Sequence, residues 1–381
     1  MFDAITILLF WAPVGLIVYH WAIFPGILVF LAGLRKRHKE SKRLAELPRV
    51  TIAIAAYNEE RTIRAKILNC LDNDYPIEKL EVLVGSDASS DGTDSIVKSF
   101  TDTRVKLLRS QQHGGKAAVL NLLMGSASGD LVLFTDADVM LAHDTLQIMV
   151  RHFTDESVGV VEARYIRINK AGSAAEGFYD RYESKVKELE GRLGATTSCY
   201  GAALMARKSL CQPIPEDTVL DDFMLGIRPF RSGFSVAYEP RAIVSGKVEN
   251  ETQEFRRRVR IGRGNLQALL RFADLLLPKY GTKAWVFFSH KFVRMLIPFL
   301  LLSIFIASAI KFSVPFFAAM FILQLAAYAT IPLLLVVKGR WRKVLFPQYY
   351  LFHNIAVVVG YWQYLFGRRQ KYWQRTARKS E

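Results

Sequence analysis

"LVLFTDADVM", residues 131–140, runs five apolar or β-branched residues into two aspartates spaced one apart, Asp136 and Asp138. A short run of this kind, bounded by polar residues, reads as a buried strand, so the two carboxylates fall where a strand ends. Spacing alone does not make them a site, because the 17 aspartates among 381 residues yield about one Asp-x-Asp by chance. A second pair, Asp72 and Asp74 in "LDNDYP", sits between a helical pattern and Pro76. That context writes a turn, and this pair reads as solvated turn residues.

Outward from 131–140, strand and helix patterns alternate. "RVTIAIAAYNEE" is a β-branched run ending in polar residues, followed by "RTIRAKILNCL", whose Ile63, Ile67, Leu68 and Leu71 are expected on one helical face. "LEVLVGSDASSDGT" and "DSIVKSF" repeat the unit, as do "RVKLLRS" and "KAAVLNLLMGSA", and "HDTLQIMVRHF" follows the Asp-x-Asp strand. Such alternation predicts an α/β domain with a mostly parallel sheet, whose ligands collect at the carboxyl ends of the strands. Asp136 and Asp138 then share one sheet edge with Tyr57, Asn58, Glu59, Asp87 and Lys116. Carboxylates gathered there repel each other unless a cation stands between them. Hard divalent ions such as Mg²⁺ or Mn²⁺ are held by one or two carboxylates plus phosphates, so the pair is expected to form a metal–diphosphate site.

The flanks differ in composition. Residues 4–34, 292–312, 314–337 and, less cleanly, 344–366 are almost entirely apolar, each near the roughly 20 residues that cross a bilayer as a helix. The first is too long for a signal-peptide core and follows Asp3 rather than basic residues, so it is expected to be a permanent anchor. The net charge of +16 is concentrated in 35–43, 256–263 and 367–381, each carrying net +5. Their placement beside apolar segments reads as positive-inside signal and contact with anionic headgroups rather than nucleic-acid binding. The same rule puts residues 35 onward in the cytoplasm. Three full C-terminal spans would leave the basic tail outside, so 344–366, with Pro347, Gln348, His353, Asn354 and Gln363, is the candidate for a re-entrant or interfacial segment. Cys70, Cys199 and Cys211 offer no plausible pairing and suit a reducing compartment. Gly-x-Ser-x-Gly, Walker and His-rich metal motifs are absent, which leaves hydrolase and ATPase readings without support.

Taken in order, "AAYNEE", "GSDASSDGT", "GGKAAVLN", "TDAD", "YGAALMAR" and "VLDDFMLGIR" resemble glycosyltransferase family 2, in its membrane-integrated subgroup that includes cellulose, hyaluronan and poly-N-acetylglucosamine synthases. The resemblance covers residues 50–270 and implies a GT-A type nucleotide-sugar-binding domain flanked by transmembrane helices. It implies that Ala56, Tyr57 and Glu59 line a nucleoside pocket, that Asp87 accepts a hydrogen bond from the base, and that Lys116 neutralises the diphosphate. Asp136 would face the sugar or ribose side, and Asp138, with Asp136, would hold Mg²⁺ or Mn²⁺. Glu60, Asp91 and Asp94 read more simply as helix-start and loop residues.

The family's Glu-Asp is Asp221-Asp222 here. Inverting transfer needs one carboxylate within reach of the acceptor hydroxyl, and by position Asp222 is that base, with Asp221 in support. "RRRVRIGRG" stands where related synthases carry Gln-x-x-Arg-Trp, giving Arg257 for Gln, Arg260 for Arg and Ile261 for Trp. Arg260 and Arg263 are expected to grip the leaving diphosphate through forked bonds. The missing Trp puts processive synthesis in doubt. "FYDRYESKVKELEGRLG" has a helix period, and most of its charges are expected on a solvated face.

The expected organisation is therefore an N-terminal transmembrane helix (1–34), a basic cytoplasmic linker (35–47), a cytoplasmic catalytic domain (48–250), amphipathic interface helices (251–291), C-terminal transmembrane helices (292–366) and a basic tail (367–381). The expected function is inverting transfer from a nucleotide sugar, with UDP as the expected carrier, to a cell-surface polysaccharide or lipid-linked saccharide at the inner (plasma) membrane. Alternatives are single-sugar transfer to polyprenyl phosphate and an inactive sugar-binding or secretion subunit.

Overall fold

The structure, a computed structural model, describes residues 2–35, 46–169, 173–174, 176–199, 201–247, 251–330 and 346–367. Most of the basic run 35–43, residues 331–337 of the third apolar segment, Tyr200 and the tail 368–381 lie outside these. The described residues divide into two compact units, one drawn from Met1–Ile27, Asn250–Arg271 and Phe288–Arg368, the other from Leu28–Glu249 and Phe272–Phe287.

The second unit is built on a sheet in the order β3-β2-β1-β4-β7-β6-β8-β5. The strands are β1 Val50–Ala56, β2 Leu80–Ser86, β3 Val105–Arg109, β4 Leu131–Asp136, β5 Met140–Leu141, β6 Val158–Ile168, β7 Ala203–Arg207 and β8 Ser235–Lys247. β1 is buried along its whole length, as expected of a Val/Ile/Ala strand covered on both faces. The run β3-β2-β1-β4 is parallel, as the alternation predicts. Beyond it the sheet is mixed, with β7 antiparallel to β4 and β6, β5 antiparallel to β8, and β6 parallel to β8.

Register sets the working edge. Ala56 lies opposite Ser86, and Ala55 opposite Asp136, so the carboxyl ends of β1, β2 and β4 are level. Because β7 is antiparallel, its first residue, Ala203, pairs with Thr135. The chain entering β7 therefore arrives at the same edge.

Helices α3 Ile63–Leu71, α4 Thr93–Lys98, α5 Lys116–Ser126 and α6 Thr145–Val150 follow β1, β2, β3 and β5. The inward face of α3 differs from the expected one: Ile63, Lys66, Ile67 and Cys70 are buried, while Leu68 is 52% exposed. Those four positions are spaced i, i+3, i+4 and i+7, one continuous stripe, and Leu68 stands a further step around the helix. α7, Phe178–Arg192, corresponds to "FYDRYESKVKELEGR". Two of its charges are not solvated, however, because Lys187 and Glu190 are buried and Lys187 Nζ pairs with Glu162 Oε1 at 2.6 Å. α8 runs over Asp221–Ile227.

Of the remaining helices, α1 (Phe2–Val18) continues through a π-helical turn at Tyr19–Ile23 into α2 (Phe24–Leu34). α9 spans Glu251–Arg271; α10, Thr282–Val286, leads through a π-helical turn at Phe287–Phe292 into α11, Val293–Ile310; α12 is Pro315–Ala329 and α13 Phe346–Phe366. Two continuous helices, Asp3–Leu34 and Thr282–Ile310, are long and apolar enough to cross a membrane. They run antiparallel, since Asp3 pairs with Lys311, Ser303 Oγ donates to the Leu9 carbonyl at 2.8 Å and Tyr19 Oη meets Ser289 Oγ at 2.6 Å. Phe10, Ile304, Ala307 and Phe317 form an apolar cluster. His20 and His290 are buried, and His20 Nδ1 donates to the Ser289 carbonyl at 2.8 Å. His290 thus sits inside the helical packing.

Candidate active site

Local sequence explains how each polar group reaches the edge. β1 ends at Ala56, whose carbonyl accepts the Asp87 amide at 2.9 Å. Asn58, at φ 56°, turns the chain. Its amide donates to Ser89 Oγ at 3.1 Å and its Oδ1 accepts the Ser90 amide at 2.8 Å, which ties the loop after β1 to the loop after β2. Glu59 is buried; its amide donates to Thr93 Oγ1 at 2.7 Å and its carboxylate accepts Thr62 Oγ1 at 2.7 Å. Glu60 and Asp91 take helix-start roles, accepting the amides of Gly92 and Thr93 at 3.0 Å each. Asp94 pairs with Arg109.

Asp87 is fully buried. Its oxygens accept the amides of Gly114 and Gly115 at 2.8 and 2.9 Å, and His113 Nδ1 lies 2.9 Å from Oδ2. The His113 ring stacks on Tyr57, with centroids 4.3 Å apart. Gly115, at φ 87°, occupies backbone space that a side chain would strain, and the next residue, Lys116, opens α5. The carboxylate of Asp87 therefore fixes the loop that delivers Lys116.

Lys116 is the meeting point. Its Nζ lies 2.8 Å from Asp136 Oδ1, at the end of β4, and 3.0 Å from Asp221 Oδ2, at the start of α8. Burial alone would lower the pKa of this ammonium. The charges of Asp136, Asp221 and Asp222 outweigh burial and hold it above its ordinary value. Asp222 is oriented by two amides, Gly201 to Oδ2 at 2.8 Å and Phe223 to Oδ1 at 2.7 Å. A narrow cleft is lined by Lys116, Thr135, Asp136, Gly201, Asp221 and Asp222 among others. A larger hollow of about 590 Å³ opens at the opposite edge, beside Gly129, Asp130 and Lys208, away from these groups. Asp138 is exposed two residues beyond Asp136, and Val139 returns its amide to the Asp136 carbonyl at 3.3 Å. Among the described residues no three His, Cys, Asp or Glu side chains cluster as a metal cage. One or two carboxylates at a rim instead suit a hard divalent cation whose remaining ligands come from phosphates.

Sequence reasoning missed three participants. Lys66, on the buried face of α3, donates to Thr135 Oγ1 at 3.1 Å and to the Val139 carbonyl at 2.6 Å, directly beneath the acidic turn. Burial pushes its pKa down, against the pull of Cys70, Asp136 and Asp138. Its place in the i, i+3, i+4 stripe was the available signal. His113 and Gly201 carried none beyond adjacency to motif residues. Arg257, Arg260 and Arg263 lie on α9 in the other unit. Arg257 forks onto Glu254 at 2.7 and 2.9 Å, Arg260 is exposed, and Arg263 is half-buried.

Residues 51–211 match the family described as glycosyl transferase family 2. The chain is 28% identical over 280 residues to the β-monoglucosyldiacylglycerol synthase of Trichormus variabilis, a match covering 69% of this chain and 59% of that protein. It is 27% identical over 272 residues to the poly-β-1,6-N-acetyl-D-glucosamine synthase of Staphylococcus aureus, covering 68% and 65%. The chain thus spans less than two thirds of the length of either. The mannosyltransferase PcManGT of Pyrobaculum calidifontis, solved in complex with GDP-Man and Mn²⁺, superposes with a TM-score of 0.72 at 23% identity, covering 96% of this chain and 99% of that one. The parallel half-sheet, the Asp-x-Asp at the end of β4 and the Asp-Asp opening α8 are thus set in a GT-A fold, and residues 51–211 are a glycosyl transferase family 2 domain.

Proposed function

We propose that the protein is an inverting glycosyltransferase, moving a sugar from a nucleotide-sugar donor to a saccharide or lipid-linked saccharide acceptor at a membrane. The observation that carries this reading is the position of Lys116, whose one ammonium faces the strand-end carboxylate Asp136 and the helix-start carboxylate Asp221, with Asp222 alongside. An ammonium has three donors; two are directed at these carboxylates and one is left for a diphosphate oxygen. Asp222, held in one orientation by the Gly201 and Phe223 amides, accepts the proton of the acceptor hydroxyl as its oxygen bonds to the anomeric carbon. The bond from that carbon to the diphosphate breaks, and its electron pair leaves with the nucleoside diphosphate. Asp138 and Asp136 would hold Mg²⁺ or Mn²⁺, which supplies positive charge to the leaving diphosphate. Tyr57, His113 and the Asp87 loop form the nucleoside side of the site, and Arg260 and Arg263 remain proposed contacts of the leaving group.

The helices Asp3–Leu34 and Thr282–Ile310, together with the basic flanks, support a plasma-membrane protein with its catalytic domain in the cytoplasm. Ile261 favours short additions over long polymers, because an aliphatic side chain lacks the broad rigid face with which an aromatic one holds a sugar.

The full chain in detergent, given radiolabelled UDP- and GDP-sugars with lipid and saccharide acceptors and with either Mn²⁺ or EDTA, should transfer label from one donor class only when Mn²⁺ is present. Transfer undiminished in EDTA would overturn the metal assignment. Absence of both transfer and Mn²⁺-dependent nucleotide binding would overturn the reading itself.

A further inference from the structure

We propose that Lys66 is a positioning residue, holding the Asp136–Asp138 turn in the shape that takes a divalent cation and coupling that turn to the segment that orients Asp222. The proposal rests on the function proposed above.

Lysine is almost never fully buried unless its ammonium is paired, yet Lys66 is fully buried in the middle of an apolar helix face. Its Nζ bonds to one residue before the acidic turn, Thr135 Oγ1 at 3.1 Å, and to one after it, the Val139 carbonyl at 2.6 Å. One side chain therefore clamps both ends of the three-residue excursion, 136–138, that carries Asp136 and Asp138. Thr135 Oγ1 accepts from Lys66 and donates its own hydrogen bond to the Ala202 carbonyl at 2.7 Å. The preceding amide, Gly201, donates to Asp222 Oδ2 at 2.8 Å. Three stretches far apart in sequence, 63–71, 131–139 and 201–222, are joined by this chain of hydrogen bonds. Its neighbours on the buried face of α3 are Ile63, Ile67 and Cys70, so the helix stripe itself would be filled as well by an apolar side chain of similar length.

That last point separates positioning from mere structure. Lys66→Met fills the stripe but leaves the Val139 carbonyl without its donor, at a cost of about 1–3 kcal/mol, so the variant should stay folded with a modestly lower Tm. A group that orients metal ligands from behind typically costs ten- to a hundredfold in metal affinity when lost. In the folded Lys66→Met protein the Mn²⁺ concentration for half-maximal UDP binding, followed by calorimetry, should therefore rise about tenfold or more. Asp222 geometry should suffer too, lowering kcat at saturating Mn²⁺ with the donor KM little changed. Thr135→Val, which removes the shared hydroxyl and leaves Lys66 in place, should shift the Mn²⁺ dependence in the same direction and carries the test if Lys66→Met does not fold. Wild-type Mn²⁺ dependence in either folded variant overturns the proposal alone. Wild-type protein that binds no nucleotide with Mn²⁺ overturns the functional reading beneath it.

Discussion

The roles proposed for Asp222 and Asp138 rest on different physics, and single substitutions separate them. Asp222→Asn keeps the shape and an oxygen for the Gly201 amide but loses the proton acceptor. Turnover should fall about 10²- to 10⁴-fold, while calorimetry shows nucleotide binding nearly unchanged; loss of that binding would make Asp222 a donor-site residue. Asp138→Asn should instead abolish the Mn²⁺-dependent part of nucleotide binding, with Asp72→Asn as the matched control. Asp72 and Asp74 are both exposed, and their backbone, not their carboxylates, meets His143: the Asp72 carbonyl accepts from Nδ1 at 2.6 Å and the Asp74 amide donates to the His143 carbonyl at 2.8 Å. Equal effects of the two substitutions would refute the metal role. The distinction between the two pairs was legible because strand ends and Pro-flanked turns have different local signatures. Lys66 was not, because periodicity reasoning counts apolar residues on a helix face and passes over a cation that completes the stripe.

The elements that carry these residues were read well where they are local and poorly where direction matters. Strand–helix alternation from β1 to α6 follows from apolar runs and their spacing. The antiparallel entry of β7 does not, since an apolar run such as "ALMAR" has no polarity of pairing written in it, and it is this direction that brings Gly201 to Asp222. α8 is then seated by close contact. A methyl added at Gly226 would stand 2.2 Å from Cys199 Sγ and 2.6 Å from its Cβ. Gly226→Ala should therefore displace α8 at a cost of about 1–3 kcal/mol, lowering Tm and kcat together. Cys199→Ala in the same protein should restore part of both, and no restoration would place the strain elsewhere.

On β8, Glu239 is buried, accepts His152 Nε2 at 2.9 Å and forks onto Arg241 at 3.0 Å. Burial alone would raise its pKa, but His152 and Arg241 outweigh it and bring the carboxyl from 4.5 to about 2. A depressed acid stabilises the fold above its unfolded pKa. The contribution should be complete above about pH 4.5 and fade as pH falls toward 2. The Tm advantage of wild type over Glu239→Gln should shrink across that window, and a constant gap would refute the linkage.

At the scale of the whole molecule, apolar composition located the long helices, and the antiparallel run of Asp3–Leu34 against Thr282–Ile310 gives them a common axis. In the sheet-bearing unit the sheet is unbroken from β3 through β4 and β7 to β5. The strand ending in Asp136 is laddered to the strand that follows Gly201, from Leu131↔Arg207 to Thr135↔Ala203. On the proposed function this ladder ties the donor side of the site to the acceptor side, so the span across which the two substrates would meet is expected to be set when the chain folds. Spin labels at the exposed positions Glu78 and Ser232 should report one separation by electron–electron resonance with or without nucleotide and Mn²⁺. A shortening on binding would reveal a joint in what is otherwise a single casting.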